Sequence, residues 1–231
     1  MPPLPIISTE ESIRNALTSA RLGTYESATK ATPTLTGALA LYAWNAQVAA
    51  AMLGPLHICE VVIRNAVADA IAAVYGAQWP WSASFVRSLP NPPHGYQARQ
   101  DLRNVSAGKA SVGKVIPELK FVFWQTLFTQ RFDHRLWQPH LKTVLPYLDT
   151  AKSIPELRRL IYTELEQLRK LRNRIAHHEP IFQRNLSDDL QKAYELIAFR
   201  CPVTALWMDG NQQAKQFISN KPIYRFGPMK S

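Results

Sequence analysis

The amino-acid sequence predicts an all-helical protein, and three observations support this fold class. Apolar residues recur three and four positions apart over long stretches, most regularly from Leu157 to Ile175. The segments Ile13 to Leu22 and Leu35 to Leu53 are rich in Ala and Leu, which favour helices. The sequence contains no convincing pair of strands and no internal repeat. We therefore expect one all-α domain over residues 1–231, a length that allows a substantial core.

Glycine and proline separate the predicted helices in the first third of the chain. A link containing Thr, Gly and Pro divides the helix Ile13 to Leu22 from the helix Leu35 to Leu53. Gly54-Pro55 ends the second helix, and a third helix follows from about Leu56 to Tyr75, with Gly76 as its cap. The apolar face of this third helix is expected to contain Ile58, Val62, Ile63, Val67 and Ile71.

A polar, basic segment is expected at about residues 91–116. It follows a break at Trp79-Pro80-Trp81 and begins in the loop Pro90 to Gly95. This segment is the best candidate in the chain for a mobile element that contacts phosphates. A solvated linking helix and loop is the alternative interpretation. Its basic residues are Arg99, Arg103, Lys109 and Lys114.

The second half of the chain contains four predicted helical segments, which follow from proline positions and apolar periodicity. We assign the aromatic residues of the first segment to the core rather than to base stacking, because large aromatic side chains dominate core burial. The third segment is the longest and has to end shortly before Pro180. The four segments are Glu118 to Gln130, Leu141 to Leu148, Pro155 to about Glu179, and Ser187 to about Arg200.

Composition indicates a basic protein of a reducing compartment. Lys and Arg outnumber Asp and Glu by 27 to 17, and the net charge of +10 favours polyanionic partners such as nucleic acid. The alternative is that the excess only aids solubility. Cys59 and Cys201 are far apart and lack metal-ligating neighbours. Residues 1–5 lack signal-peptide features, and the apolar stretch Ala38 to Leu56 contains polar Asn45. We therefore expect a buried helix in that stretch and a cytoplasmic protein without a membrane span.

Basic and titratable side chains crowd together at the end of the long predicted helix. The stretch Leu168 to Pro180 contains three arginines, a lysine, an asparagine and two histidines. Asn173 and His177 share a helix face, whereas Arg172 and His177 lie about 140° apart and converge only if the arginine bends or the helix distorts. Histidine exchanges protons near neutral pH, and a guanidinium can hold a phosphate. The set suits phosphodiester cleavage through a ribose 2′-hydroxyl, and a helix-capping cluster is the alternative.

The same stretch resembles a known nuclease motif. Arg172 to His177 is similar to the R-N-x-x-x-H form of the R-x4-6-H motif of HEPN domains. Leu171 to Ile181 resembles the Abi-like (abortive infection) branch of that superfamily. Further blocks that resemble this branch occur in the same order along nearly the whole chain. They are Ala38 to Asn45, Glu60 to Ala66 with Tyr75-Gly76 and Trp79, Leu119 to Trp124 with Leu136-Trp137, and Asn220 to Pro222.

The resemblance implies a HEPN-type helical bundle with additional flanking helices. It also implies a metal-independent endoribonuclease of phage-defence or toxin type that uses no cofactor. HEPN nucleases usually act as dimers, so a single motif of the R-N-x-x-x-H form implies a homodimer with a composite site. Arg172 and His177 would be the catalytic pair, and Asn173 would orient His177 or the RNA. An antitoxin or a noncoding RNA is a candidate regulator.

Other polar residues are candidates for RNA contact. Arg64-Asn65 matches the family's E-x-x-L-R-N helix, although an ion pair between Arg64 and Glu60, one turn earlier, is the favoured role. The chief alternative function is a non-catalytic module that binds RNA or a partner protein, and a purely structural helical protein is the third. No carboxylate cluster has ligand spacing, so no metal site is expected. The candidate RNA-binding residues are Arg169, Arg174, His178, Arg64, Asn65, Arg99, Arg103, Lys109 and Lys114.

Overall fold

The computed structural model describes residues 8–29 and 34–222, and within these ranges it contains helices and no strand. The all-helical fold class is therefore confirmed. Residues 1–5 and part of the link between the first two predicted helices lie outside the described residues. The α-helices are α1 (Thr9–Leu17), α2 (Ser19–Ala28), α3 (Leu35–Tyr75), α4 (Ala83–Ser88), α5 (Ala98–Ser106), α6 (Val112–Val115), α7 (Phe121–Thr126), α8 (Gln138–Val144), α9 (Ile154–Ala176), α10 (Leu186–Arg200), α11 (Pro202–Asn211) and α12 (Ala214–Ser219).

Helix α3 joins two segments that the sequence predicts as separate helices. It runs without interruption from Leu35 to Tyr75 and contains Pro55, so the predicted break at Gly54-Pro55 is wrong. A proline removes one backbone hydrogen bond from a helix interior and crowds the preceding turn. About five turns of apolar, mostly helix-favouring sequence on either side outweigh that local cost. Gly76, with a φ of 85°, follows the helix end as predicted.

By length and composition, α3 is the one helix among the described residues that could cross a membrane. The core helix of a soluble protein meets the same criteria, and 33% of the most apolar window of α3 is buried. Buried side chains recur at helical spacing in its first half, as in a core helix. A cytoplasmic location nevertheless stays a prediction. The buried residues of this half are Ala38, Leu41, Trp44, Asn45, Val48 and Met52.

The predicted helix from Glu118 to Gln130 is broken into shorter elements, of which α7 is the longest. One cause is visible at Leu127, whose carbonyl oxygen accepts a hydrogen bond of 2.7 Å from the indole N–H of Trp137. This bond satisfies a carbonyl group that a longer helix would pair with its own backbone. Phe128 is buried as predicted and stacks on Trp137 with ring centroids 4.4 Å apart. The flanking elements are 3-10 helices at Ile116–Glu118 and Gln130–Phe132 and a π-helix at Asp133–Trp137, and a further 3-10 helix lies earlier in the chain at Trp79–Trp81.

The chain forms two compact units, and α3, α9 and α10 contribute residues to both. The first unit comprises the described residues within Met1–Met52, Arg174–Ser187 and Gln213–Ser231, and the second comprises Leu53–Asn173 and Asp188–Gln212. In the first unit, the ring of Tyr25 contacts the rings of Tyr42 and Phe182, with centroids 5.0 and 5.3 Å apart. The indole N–H of Trp44 donates to the carbonyl oxygen of Phe217 at 2.7 Å. An aromatic cluster and one buried indole bond therefore organise this unit.

The second unit is built around the apolar stripe of α9. Each buried Leu or Ile in such a stripe contributes roughly 1.5–3 kcal/mol to folding. A bidentate ion pair between Arg158 of α9 and Asp133 of the π-helix, at 2.7 and 3.3 Å, ties these two elements together. Cys59 is buried and free. The stripe consists of Leu157, Ile161, Leu165, Leu168 and Leu171, each at most 1% exposed.

Candidate functional site

Helix α9 ends at Ala176 in a Schellman cap. The backbone N–H of His178 donates to the carbonyl oxygen of Ile175 at 3.0 Å. The N–H of Glu179 donates to the carbonyl oxygen of Arg174 at 2.7 Å. His178 has a φ of 55°, the left-handed conformation that this cap requires and that glycine usually supplies. These bonds end the helix slightly earlier than predicted, and its last turn keeps helical geometry up to Ala176.

The chain beyond the cap is fixed by side chains that bind its backbone. The guanidinium of Arg174 donates from Nε and Nη2 to the carbonyl oxygen of Pro180, at 3.1 and 2.7 Å. The side-chain Oδ1 of Asn45, which is 6% exposed, accepts the backbone N–H of Ile181 at 2.8 Å. A buried amide that satisfies a backbone donor is stabilising. Arg174 and Asn45 therefore shape the segment that follows the motif.

Two other cations of this part of α9 also have partners within the protein. Arg169 donates from Nε to the Oε1 of Gln125 at 2.7 Å and from Nη2 to the carboxylate of Glu166 at 3.0 Å. Lys170 forms an ion pair of 3.1 Å with the other oxygen of Glu166. The amide of Gln125 donates to Glu166 at 2.5 Å, which closes the network. Arg169 thus links α9 to α7 through its side chain.

The side chains of Arg172, Asn173 and His177 form no hydrogen bond or ion pair with any residue that the structure describes. Arg172 and His177 are exposed, and Asn173 is half-buried. Asn173 and His177 are four positions apart at a helix end whose backbone is regular, so they point to one side. On an ideal helix Arg172 would lie about 140° from His177, which directly follows the last residue of α9, so its long side chain has to bend for the two groups to meet. Distortion of the helix, which the sequence suggested as a second route, is absent between Arg172 and Ala176.

Some of the remaining candidate RNA-binding side chains have partners within the protein, and others have none in the described chain. Arg99 donates from Nη2 to the carbonyl oxygens of Arg87 and Leu89, both at 2.9 Å, and Lys109 forms an ion pair with Glu118. These contacts fold the segment 91–116 around α5 and α6. The candidate side chains that make no hydrogen bond or ion pair in the described chain are Arg64, Asn65, Arg103, Lys114 and His178.

The predicted ion pair between Arg64 and Glu60 is not formed. Both residues are half-buried in α3, and no ion pair joins them within the described structure. The Nε of Arg64 is buried without a hydrogen-bond partner. Residues one turn apart on a helix can pair, but long side chains also adopt other rotamers, and here they do. The role of Arg64-Asn65 in RNA contact stays a prediction.

Two cavities involve residues that sequence analysis did not select. A cleft of about 1140 Å³ lies in the first unit beside α2, and its lining includes Gly23, Phe182 and Lys221. A smaller cavity of about 300 Å³ lies in the second unit. Arg131 and Arg135 line the smaller cavity, and their spacing of four residues is the sequence signal that could have identified them. Neither cavity is lined by a residue of the Arg172 to His177 motif.

Metal-ligating side chains do not gather at this helix end. In residues 8–29 and 34–222, no group of three His, Cys, Asp or Glu side chains is placed to hold a metal ion.

Comparison of the chain with known protein families, with curated proteins and with solved structures finds no match.

Proposed function

We propose that this chain is a metal-independent endoribonuclease of the HEPN type that acts in phage defence or as a toxin. The observation that carries the proposal is that some polar residues at the end of α9 bind other parts of the protein, whereas others have no side-chain partner. Arg174 and His178 do the capping, and Arg169 is bound to Gln125 and Glu166. The side chain of His178 also has no partner in the described structure, but its backbone forms the cap. The motif residues Arg172, Asn173 and His177 have no side-chain partner there and form none of the hydrogen bonds of the cap. A capping cluster does not need these three, whereas a site that meets substrate does.

The reaction that fits these groups is an internal transfer at phosphorus. The 2′-oxygen of a ribose attacks the adjacent phosphorus, and the bond from phosphorus to the 5′-oxygen of the next nucleotide breaks. His177 takes the proton of the 2′-hydroxyl, and a second imidazole gives a proton to the departing 5′-oxygen. Arg172 offsets the negative charge of the phosphorane. The products are a 2′,3′-cyclic phosphate and a 5′-hydroxyl, and no metal takes part.

The second imidazole has to come from elsewhere, because the chain contains one motif of the R-N-x-x-x-H form. We propose that a homodimer supplies it by bringing two copies of the motif together. An isologous dimer interface places the same residues of both protomers around one twofold axis, which is the simplest way to build such a composite site. Asn173, on the same side of the helix as His177, would orient the imidazole or the RNA.

A second candidate function is a non-catalytic module that binds RNA. The observation that favours it is that α9 stays regular up to Ala176, the residue before His177, because on an ideal helix Arg172 and His177 point about 140° apart. At that angle, each side chain can contact a different phosphate without acting on the same one. Both functions predict RNA binding that weakens as salt rises, and only cleavage separates them.

The test is cleavage of a labelled single-stranded RNA in EDTA, with binding measured in parallel. The variants are His177→Ala and Arg172→Ala, and His57→Ala is the matched control, since His57 is an exposed helical histidine without a partner in the described chain. We expect His177→Ala to lose about 100-fold or more in cleavage rate, the usual contribution of an acid–base group, while binding is retained. The control should cut like wild type and give 2′,3′-cyclic phosphate ends.

Three results would contradict the enzyme proposal in different ways. Equal binding without cleavage by wild type and variants supports the binding module. Cleavage that requires a divalent metal contradicts the proposed mechanism. If His57→Ala reduces cleavage as much as His177→Ala does, the loss is not specific to the motif, and His177 is not the catalytic histidine.

A further inference from the structure

The cavity of about 300 Å³ in the second unit has the features of an anion site. It is lined by Tyr75 at the end of α3, Ser88 at the end of α4, and Arg131, Phe132 and Arg135. Arg131 belongs to a 3-10 helix and Arg135 to the π-helix that follows it. A π-helix is rare and is often retained at functional sites. Here the 3-10 helix and the π-helix that follows it each place one arginine in the lining of the same cavity.

Both guanidinium groups have N–H donors without a partner among the described residues. Arg131 is fixed by one bond, from its Nε to the carbonyl oxygen of Ser88 at 2.6 Å. Its terminal nitrogens, and the whole side chain of Arg135, have no partner among the residues that the structure describes. A guanidinium held by its Nε presents its outer edge in a fixed orientation, which suits the oxygens of a tetrahedral anion.

A third donor is the hydroxyl of Tyr75. This hydroxyl oxygen is buried and has no hydrogen-bond partner in the described chain. Buried hydroxyls in folded proteins nearly always have a partner, and an unpaired one indicates a bound water, ion or ligand. The hydroxyl of Ser88 is not available as a donor, because it donates to the carbonyl oxygen of Phe85 at 2.7 Å.

The acidic residue nearest in sequence does not oppose an anion here. Asp133 follows Phe132 directly and is buried, and its carboxylate is bound by the guanidinium of Arg158 at 2.7 Å. Its negative charge is therefore offset by a positive one. The two arginines of the cavity thus keep a local excess of positive charge.

We propose that this cavity binds a phosphate group through Arg131, Arg135 and the hydroxyl of Tyr75. A volume of about 300 Å³ is at the lower end of ligand pockets, so the ligand is a small phosphate or the terminal phosphate of a larger molecule. A terminal phosphate carries up to two negative charges, which match two guanidinium groups, whereas a diester inside an RNA strand carries one. The source is either free phosphate and mononucleotides or the 5′-phosphate of an RNA.

The experiment titrates inorganic phosphate, 5′-AMP and a short 2′-O-methyl oligoribonucleotide with and without a 5′-phosphate, by calorimetry on the full chain. The 2′-O-methyl strand lacks the attacking hydroxyl, so the proposed ribonuclease activity cannot cleave it. The variants are Arg135→Gln and Tyr75→Phe, and Arg159→Gln is the matched control. Arg159 is also an exposed arginine without a side-chain partner in the described structure, and it does not line the cavity. We expect Arg135→Gln to weaken phosphate binding by about tenfold or more, and Tyr75→Phe by about three- to tenfold. The control should stay within about twofold of wild type.

Thermal melting gives a second readout that a folding defect cannot imitate. Tyr75→Phe removes an unpaired buried hydroxyl, so without phosphate it should melt at the same or a higher temperature than wild type. Added phosphate should raise the melting temperature of wild type and of Arg159→Gln, and should raise that of the two cavity variants less. This test involves no motif residue, so its result is independent of ribonuclease activity.

The titrations also separate the two sources. If the 5′-phosphorylated RNA binds more tightly than its 5′-hydroxyl counterpart, and Arg135→Gln removes the difference, the terminal phosphate of RNA is the ligand. If the two RNAs bind equally while free phosphate or 5′-AMP binds the cavity, the ligand is a small phosphate. No saturable binding up to about 10 mM phosphate, or equal affinity in all four proteins, overturns the proposal and leaves water in the cavity.

Discussion

The carboxylate of Glu166 organises the contacts of α9 in front of the motif, and its removal is the prediction that the structure supports in most detail. The amide of Gln125 donates to this carboxylate at 2.5 Å, and Arg169 and Lys170 bind it at 3.0 and 3.1 Å. Above all the hydrogen bond from Gln125, and then those from Arg169 and Lys170, lower the pKa of Glu166 from 4.5 to about 2. We predict that Glu166→Gln destabilises the protein at neutral pH and not at pH 2.

The size of the effect follows from that pKa. Lowering a carboxyl pKa from 4.5 to about 2 corresponds to roughly 3 kcal/mol of folding stability at neutral pH. The side chain is 28% exposed, so water and salt screen part of this interaction, and about 1–2 kcal/mol is the expected loss. A carboxyl whose pKa is lower in the folded state stabilises the protein above its unfolded pKa. This contribution is lost as pH falls from about 4.5 to about 2.

The assay is urea denaturation followed by circular dichroism at several pH values between 2 and 7. Glu60→Gln is the matched control, because Glu60 is a helical carboxylate of the same unit that forms no ion pair in the described structure. At pH 7 the Glu166→Gln variant should be about 1–2 kcal/mol less stable than wild type, and the control should lie within about 0.5 kcal/mol of wild type. A difference between wild type and Glu166→Gln that is the same at pH 2 and pH 7 would refute the electrostatic explanation.

Substitutions at two further positions test the cap and the buried ion pair. His178→Gly should raise the free energy of unfolding by up to about 1 kcal/mol, because glycine adopts a φ of 55° without strain, and His178→Val should lower it. RNA affinity that falls sharply in His178→Gly would contradict a purely capping role for this side chain. Asp133→Asn should cost about 3–5 kcal/mol in urea denaturation, since it leaves the guanidinium of Arg158, which is 14% exposed, without its charged partner. A loss below about 1 kcal/mol would show that this ion pair is screened like a surface pair.

The parts of the fold that sequence analysis predicted well are those set by local periodicity. The stripe of α9 and the end of α3 at Gly76 depend on residues close together in the chain, and both are confirmed. The parts that it predicted wrongly depend on distant contacts. The break after α7 follows from the bond between the Trp137 indole and the Leu127 carbonyl, and α3 passes through Pro55 because the helical sequence on both sides is long. Neither the early end of α7 nor the passage of α3 through Pro55 can be predicted from the few residues around it.

The same distinction explains why the sequence identified the crowded helix end but not which of its side chains are free. Arg169 is bound by Gln125, a buried residue 44 positions earlier, and nothing in the sequence around Arg169 indicates that partner. Arg174 is bound by the carbonyl oxygen of Pro180, which is reached only through the left-handed turn at His178. Basic residues that look equivalent in the sequence therefore have different roles. A count of positive charges overestimates the surface that can meet a polyanion, because each cation with an internal partner has to give up that partner first. Arg172, unlike Arg169 and Arg174, has no internal partner in the described structure to give up, so its substitution reports on RNA more directly than theirs does.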